Sequence, residues 1–229
     1  MNRFFALGLL MLTVVVGTAQ SAVKLETDAQ KLGYIIGMDI GESLKSQGTE
    51  IDIDALFDAI RTTYSGATPA LSPEQAASIR ETFIAQRRAE AETERQAAAE
   101  NNAAEGDKFL LENRLQEGVK TTDSGLQYKV VTLGEGPLPA ATDKVRVHYR
   151  GTLLNGEVFD SSYDRGEPVS FALNQVIPGW TEGVQLMPVG STFMFYIPPS
   201  LGYGAAGGGP IGPNSTLIFQ VELLGIEGQ

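Results

Sequence analysis

Cysteine is absent from this 229-residue sequence, and histidine occurs only once, at His148. The absence of cysteine excludes disulfides, thiol nucleophiles, thiolate metal sites and the cysteine to which a lipoprotein attaches its lipid. A single histidine excludes metal centres and catalytic mechanisms that need two. Most of the familiar enzyme chemistries are therefore excluded by composition.

Basic residues are also scarce, since 17 Lys and Arg stand against 28 Asp and Glu and give a formal net charge of −11. Binding to nucleic acid needs a basic patch, so we expect no nucleic-acid partner. With 42% hydrophobic and 20% charged residues, the composition is that of a soluble globular protein with one large or two modest domains.

The first 22 residues have the composition of a secretory leader. Asn2 and Arg3 form a short basic start, Phe4 to Val16 is almost entirely apolar, and small polar residues follow as far as Ala22. The apolar run, about 13 residues long, is too short to span a bilayer. We therefore predict a signal peptide over residues 1–22, with an uncleaved membrane anchor as the alternative. An exported protein without cysteine fits a bacterial periplasm, and association with the outer membrane stays open.

Glycine and proline are unevenly distributed along the rest of the chain. Residues 1–120 contain 9 Gly and 2 Pro, whereas residues 121–229 contain 17 Gly and 9 Pro. This contrast predicts an α+β protein in which helices come first and strands with turns come second. We expect a helical domain over 23–72, a long connecting helix over 73–120, and an antiparallel β-sheet curved around a short helix over 121–229.

The helical domain contains two predicted helices, the second beginning after Asp52. An apolar stripe of helical period follows the first helix, at Leu32, Ile36, Ile40 and Leu44. A neighbouring face carries glycine at the same spacing, at Gly33, Gly37 and Gly41. Because glycine is costly inside a helix, this face predicts the close approach of another helix, and a loosely packed helix is the alternative.

The long helix is predicted from a capping pattern, with Ser72 as N-cap, Pro73 at the first helical position and Gln75 at the third. Between Ala85 and Lys108 it has no large apolar side chain. A helix that is polar on every face cannot pack in a core and lacks the apolar heptads of a coiled coil. We therefore expect it to bridge separate bodies through solvent.

Alternating apolar residues predict the strands of the second half, over residues 126–130, 145–149, 193–197 and 217–223. The dipeptide Asn155-Gly156 predicts a type I′ hairpin turn. One short helix is expected from Pro178 to Leu186, with Trp180 and Val184 on one side.

Two enzyme motifs can be set aside. The segment Gly202–Gly207 satisfies G-x-G-x-x-G, but glycine and proline follow it, so no helix can begin there to face a pyrophosphate. No G-x-S-x-G is present, and His148 is expected to be a surface residue of a strand. The unusual feature is instead a concentration of aromatic and branched residues near loops, together with Asp160, which predicts a dry pocket containing a few polar groups.

Seven motifs of this region, in order and spacing, resemble the FKBP-type peptidyl-prolyl cis/trans isomerases. They are Val147–Gly151, Gly156–Ser162, Val176–Trp180, Glu182-Gly183, Met187–Gly190, Tyr203-Gly204 and Leu217–Leu223. Residues 24–120 are similar to the helical dimerisation region of exported bacterial members of the macrophage infectivity potentiator type. The resemblance implies an FKBP-type isomerase domain over 121–229 and a homodimer formed through residues 24–64.

The resemblance also implies a set of site residues. The catalytic ones are Asp160, Tyr203, Phe159 and Trp180, and the substrate-binding ones are Tyr149, Phe171, Val176, Ile177, Ile211 and Phe219. Trp180 would form the floor under the proline ring, and Tyr203 would donate a hydrogen bond to the substrate carbonyl. Where many members have a histidine in the loop after Tyr-Gly, this chain has Gly208, which puts the substrate contacts of that loop in question.

The implied reaction agrees with the composition, because rotation about an X-Pro bond makes and breaks no covalent bond. It requires no nucleophile, metal or cofactor, and none is expected. The expected partners are unfolded or proline-containing proteins, and macrolide inhibitors are expected to bind. The alternative function is a periplasmic holdase or adaptor that binds proline-containing or apolar segments without required catalysis. Residues 121–229 are expected to fold on their own.

Overall fold

A computed structural model describes residues 23–46, 48 and 50–228 of the chain, which divides into two compact units between Ser72 and Pro73. The predicted signal peptide over residues 1–22 lies outside the described residues. None of the helices in the described ranges is long and apolar enough to cross a membrane.

The first unit contains helices α1 (Asp28–Ser46) and α2 (Ile53–Tyr64). Asp52 caps α2, as predicted, because its carboxylate accepts a hydrogen bond from the backbone N–H of Ala55 at 2.9 Å. The apolar stripe of α1 stays open, with Leu32 59% and Ile36 50% exposed. A β-carbon placed on any of the three stripe glycines, Gly33, Gly37 and Gly41, would meet no atom of the described chain within 4 Å. Nothing in the described part of the chain thus approaches the glycine face.

The second unit begins with helix α3 (Pro73–Asn113), which starts at the predicted proline and runs for 41 residues. The expectation that solvent surrounds this helix is wrong for its last third, where Gly106 and Asn113 are buried. The Phe109 ring lies 5.8 Å from that of Tyr196, and the Asn113 side-chain amide donates to Gln127 Oε1 at 2.8 Å. The end of α3 therefore belongs to the packing of the β-rich domain.

Seven strands form one antiparallel sheet in the order β1-β2-β6-β7-β3-β4, and β5 also pairs with β3. Their bounds are β1 Val119–Thr121, β2 Gln127–Thr132, β3 Lys144–Thr152, β4 Val158–Ser161, β5 Val169–Ala172, β6 Thr192–Ile197 and β7 Leu217–Ile226. The alternating residues of β3, β6 and β7 point one set of side chains inward, as predicted. This set is fully or almost fully buried and includes Val145, Val147, Phe193, Phe195, Val221 and Leu223.

Two short helices complete the domain: α4 (Ser162–Arg165) and α5 (Pro178–Val184). Trp180 and Val184 of α5 are buried in the core, as the sequence predicts. Helix α5 lies very close to β6, because a β-carbon on Gly183 would come within 2.6 Å of the Phe195 ring. Glycine at this position lets the helix fill the concave side of the sheet.

The connection between β3 and β4 differs from the predicted type I′ turn. Such a turn needs positive φ at both central residues, but in this connection only Gly156 has it, at 86°. The backbone N–H of Leu153 donates to Glu157 O at 2.9 Å, and that of Gly156 donates to Leu153 O at 3.0 Å. Asn155 instead uses its side chain, which accepts from the Glu157 N–H at 3.0 Å, so the loop is one residue longer than predicted.

Candidate active site

A cavity of about 540 Å³ opens in the β-rich domain, and all ten residues predicted for the site line it. The complete lining is Tyr149, Phe159, Asp160, Phe171, Gln175, Val176, Ile177, Trp180, Tyr203, Gly208, Pro210, Ile211 and Phe219. They come from β3, β4, β5, the segment between β5 and α5, α5 itself, β7 and the segment 198–216 between β6 and β7, which we call the pocket loop. The sheet and α5 form the floor and walls, and the pocket loop forms one side.

The floor of the cavity is an aromatic cluster centred on Trp180, which is only 4% exposed. Its indole lies 5.2 Å from the Tyr149 ring, 5.6 Å from Phe171 and 5.3 Å from Phe219, each at an interplanar angle of 80° or more. Phe159 packs edge-on against Phe219 at 5.4 Å. Edge-to-face pairs of this kind hold one another in place, so the cavity has rigid, apolar walls.

Polar groups occupy one rim of the cavity. The Tyr149 hydroxyl donates to Asp160 Oδ2 at 2.5 Å, and the Arg165 guanidinium donates to Asp160 Oδ1 at 2.5 Å and to the Tyr149 hydroxyl oxygen at 2.8 Å. These three side chains form a closed triangle, which we call the rim triad. It holds Tyr149 and Asp160 in one orientation beside the aromatic floor.

Arg165 of the rim triad is a residue that the sequence analysis missed. It ends α4, which Ser161 caps by accepting from the Asp164 N–H at 3.2 Å and which Gly166 ends with a left-handed φ of 78°. A serine followed by a glycine five residues later is a signal for one tight helical turn. That signal could have shown that the chain folds back and returns an arginine to Asp160.

The rim triad shifts the pKa of both of its acidic members. Partial burial acts to raise the pKa of Asp160, but hydrogen bonds from Tyr149 and Arg165 outweigh it and the pKa lies below its ordinary value. Burial, followed by the hydrogen bond to Asp160, raises the pKa of the Tyr149 hydroxyl. At neutral pH the rim therefore presents a carboxylate, a neutral phenol and a guanidinium.

The pocket loop supplies both exposed and buried parts of the wall. Tyr203 is 42% exposed at the mouth, whereas Ile211 is only 6% exposed. Gly208, where the family often has histidine, pairs its backbone with Ile211 through two hydrogen bonds of 2.8 and 3.0 Å. Gly208 and Pro210, neither of them in the predicted site, thus line the cavity alongside Ile211.

His148 lies outside the cavity lining. Its ring stacks on Tyr163 at 4.7 Å and its Nδ1 is 2.9 Å from the Ser162 hydroxyl. That hydroxyl is fully buried and also accepts from the Tyr149 N–H at 2.8 Å. A serine with no access to substrate is not a nucleophile, which agrees with setting aside a serine hydrolase.

Comparison with known proteins gives a consistent picture. Residues 136–224 match the family model of the FKBP-type peptidyl-prolyl cis-trans isomerase, and residues 29–130 match that of the domain amino-terminal to it. The chain is 43% identical to the outer membrane protein MIP of Legionella longbeachae over 96% of this chain and 94% of that protein. It is 44% identical to the FKBP-type 22 kDa peptidyl-prolyl cis-trans isomerase of Escherichia coli strain K12, over 88% and 97% of the two chains.

A solved structure extends this similarity to the fold. The crystal structure of FkpA from Escherichia coli matches with a TM-score of 0.70 and 39% identity, covering 89% of this chain and 98% of that one. The chain therefore belongs to the FKBP-type peptidyl-prolyl cis-trans isomerases, and it is an isomerase of the type that carries an amino-terminal helical domain. The alternative of a binding protein without required catalysis is not favoured.

Proposed function

We propose that the cavity accelerates X-Pro rotation by taking the amide out of water. The barrier of about 18 to 20 kcal/mol comes from amide resonance, which the twisted transition state has lost. The planar ground state is the more polar of the two, so an apolar cavity disfavours it more than it disfavours the transition state. The observation that supports this account is the aromatic floor of Trp180, Phe171 and Phe219 beneath one polar rim.

In this mechanism each residue of the cavity has its own role. Trp180 lies under the proline ring, while Phe159 and Phe219 exclude water from the amide. The Tyr203 hydroxyl, at the exposed mouth, donates to a substrate carbonyl. Asp160 and Arg165 orient the Tyr149 hydroxyl and supply a fixed local field, because their own hydrogen bonds are already made within the rim triad. The remaining site residues, Phe171, Val176, Ile177 and Ile211, shape the cavity to the substrate.

The experiment is a protease-coupled isomerisation assay on residues 23–229 with short X-Pro peptides. We expect acceleration at micromolar enzyme, and block by a macrolide of the class that binds this family, because such a ligand would fill the same apolar cavity. An uncatalysed rate from protein that circular dichroism shows to be folded would refute the proposal.

We further propose that the protein is exported to the periplasm and acts as a homodimer through residues 24–64 on unfolded, proline-containing clients. The leader-like composition of residues 1–22 supports export. Association with the outer membrane is supported by the name of one relative, the outer membrane protein MIP. The exposed stripe and glycine face of α1 support pairing with a second copy. Fractionation of the cells that express the protein tests export and should place it in the periplasm. Light scattering on the purified protein tests dimerisation and should give the mass of two chains.

A further inference from the structure

The last third of α3 presents a contact face made of small and amide side chains with one leucine. Its residues recur every three or four positions, at Ala99, Asn102, Gly106, Leu110 and Asn113. All five are partly or fully shielded from solvent, while their neighbours Asn101 and Glu105 are exposed. The face belongs to the same compact unit as the cavity.

This face makes polar contacts with the pocket loop on the side away from the cavity. The Asn102 side-chain amide donates to Pro213 O at 2.8 Å, and the Asn214 side-chain amide donates back to Ala99 O at 3.3 Å. Further towards the start of the helix, the Arg95 guanidinium donates to Ala206 O at 3.2 Å. The Asn102 amide also lies 3.5 Å from the Ser215 hydroxyl, so four hydrogen bonds join the helix to the loop, and backbone carbonyls accept three of them.

Asn214 makes hydrogen bonds both to α3 and within the pocket loop, and its backbone conformation is unusual. Its φ is 52°, and it is the single non-glycine residue with positive φ in the part of the chain that the structure describes. Asparagine tolerates this conformation better than most residues. Its backbone N–H donates to Gly204 O at 2.9 Å, which joins two distant points of the loop, ten residues apart. One residue thus closes the loop and anchors it to α3.

Gly106 lets the helix come close enough for these bonds. A β-carbon at this position would collide with the Thr216 hydroxyl, which is itself buried. Glycine is a poor helix former, and here the close approach explains its presence. The distance between helix and loop is therefore set by the absence of one side chain.

The opposite side of the same loop is the cavity wall, through Tyr203, Gly208, Pro210 and Ile211. The loop contains six glycines, so its backbone has a large conformational entropy to lose when it becomes ordered. Contacts that order it before substrate arrives improve binding by lowering that cost. We propose that α3 positions the pocket loop for substrate, with Asn102, Asn214 and Gly106 as positioning residues that govern KM and the preference for the residue before proline.

This inference rests on the proposed role of the cavity, and the test keeps the two apart because wild-type activity is measured first. Asn102→Ala is compared with Asn101→Ala, the same change one position away on the exposed side. Kinetics are taken on full-length protein with peptides that differ only in the residue before proline. We expect Asn102→Ala to lower kcat/KM by about three- to tenfold, mainly through KM, and to change the ranking of the peptides. Asn101→Ala should behave as wild type.

A second pair of variants tests the distance between helix and loop. Gly106→Ala should lower kcat/KM in the same way, although alanine favours the helix. Adding Thr216→Ala removes the hydroxyl that the new methyl group meets and should restore the wild-type value. Unchanged KM and peptide ranking in both Asn102→Ala and Gly106→Ala would overturn the proposal. So would losses that match those of Asn101→Ala or that follow the fraction of unfolded protein.

Discussion

At the scale of single residues, the rim triad gives the site a fixed charge pattern. The Asp160 carboxylate accepts from both Tyr149 and Arg165, and Arg165 also contacts the Tyr149 hydroxyl oxygen. The pKa of Asp160 is lowered and that of Tyr149 is raised, so neither group changes charge near neutral pH. The pKa of the Asp160 carboxyl is lower in the folded than in the unfolded protein. The ionised carboxylate therefore stabilises the fold fully at pH values above the ordinary carboxyl range, and this stabilisation is lost as the pH falls through the pKa of the folded state.

We therefore predict that kcat/KM for an X-Pro peptide is flat from about pH 5 to 9, in line with ordinary carboxyl and phenol ranges of about 4 and 10. Arg165→Met removes one of the groups that lower the pKa of Asp160, so the loss of activity on the acidic side of the profile should begin at a higher pH than in wild type. The exposed Arg150→Met is the control and should leave the profile in place. An Arg165→Met profile that coincides with wild type would contradict the role assigned to the triad.

The ten residues predicted to line the cavity came from the resemblance, and eight of them lie within its seven motifs. Phe171 and Ile211 lie outside the motifs and were carried over from their positions in the family. Arg165 could not be predicted in the same way, since its contact depends on the return of the chain through α4. Gly208 and Pro210 reach the cavity through the backbone path of the pocket loop, which has no periodic pattern to read. The residues that were missed are therefore those whose place in the site depends on the path of the backbone through a turn or loop.

At the scale of secondary structure, four of the seven strands and the starts of α2, α3 and α5 followed from the sequence, whereas β1, β5 and α4 did not. Alternating side chains placed β2, β3, β6 and β7, and capping residues placed the beginnings of α2 and α3. The contact face of α3 was missed because four of its five residues are Ala, Asn or Gly, so no apolar stripe marks it. It contacts the pocket loop through carbonyl groups, whose positions no sequence pattern reveals.

The end of α3 changes what is expected of the isolated isomerase domain. Gln127 is 3% exposed, and its side chain accepts from Asn113 and donates to Leu110 O, each at 2.8 Å. Residues 121–229 lack both partners. At about 1 kcal/mol for each neutral hydrogen bond, the loss of these two bonds alone should make this fragment less stable than residues 93–229 by at least about 2 kcal/mol.

Urea unfolding of the two fragments, followed by circular dichroism, measures that difference. Peptide turnover should also be higher in residues 93–229, because this fragment keeps the contacts between α3 and the pocket loop. Equal unfolding midpoints and equal turnover would show that α3 adds nothing to the domain. In that case the boundary at residue 121, as predicted from the sequence, would be sufficient.

At the scale of the whole molecule, the exposed face of α1 is the feature that a single chain leaves unexplained. A β-carbon placed on Gly37 would meet no atom of the described chain within 4 Å, and Ile36 beside it is half exposed. Pairing with a second copy would cover both. A dimer would also hold two cavities in one particle, which raises the effective concentration of the second site for a client long enough to reach it.

Gly37→Leu should therefore convert the dimer to a monomer, as measured by light scattering, and should slow proline-limited refolding of a large client. Turnover of short peptides should not change, because the substitution lies outside the cavity. Asp39→Leu, about 200° further round the helix, is the control and should stay dimeric. A wild-type protein that is monomeric at micromolar concentration would remove the basis for this prediction.

The central claim is that the cavity works by desolvation, and Phe159 and Tyr203 test it most directly. Exchange spectroscopy at equilibrium measures the cis-trans rate of an X-Pro peptide with wild type, Phe159→Ala and Tyr203→Phe. Removing the Phe159 ring admits water to the amide and should lower the catalysed rate by about tenfold or more, equivalent to at least about 1.36 kcal/mol. Removing the Tyr203 hydroxyl costs one neutral hydrogen bond and should lower it by about fivefold. If Tyr203→Phe abolished catalysis while Phe159→Ala kept the wild-type rate, desolvation would not be the mechanism.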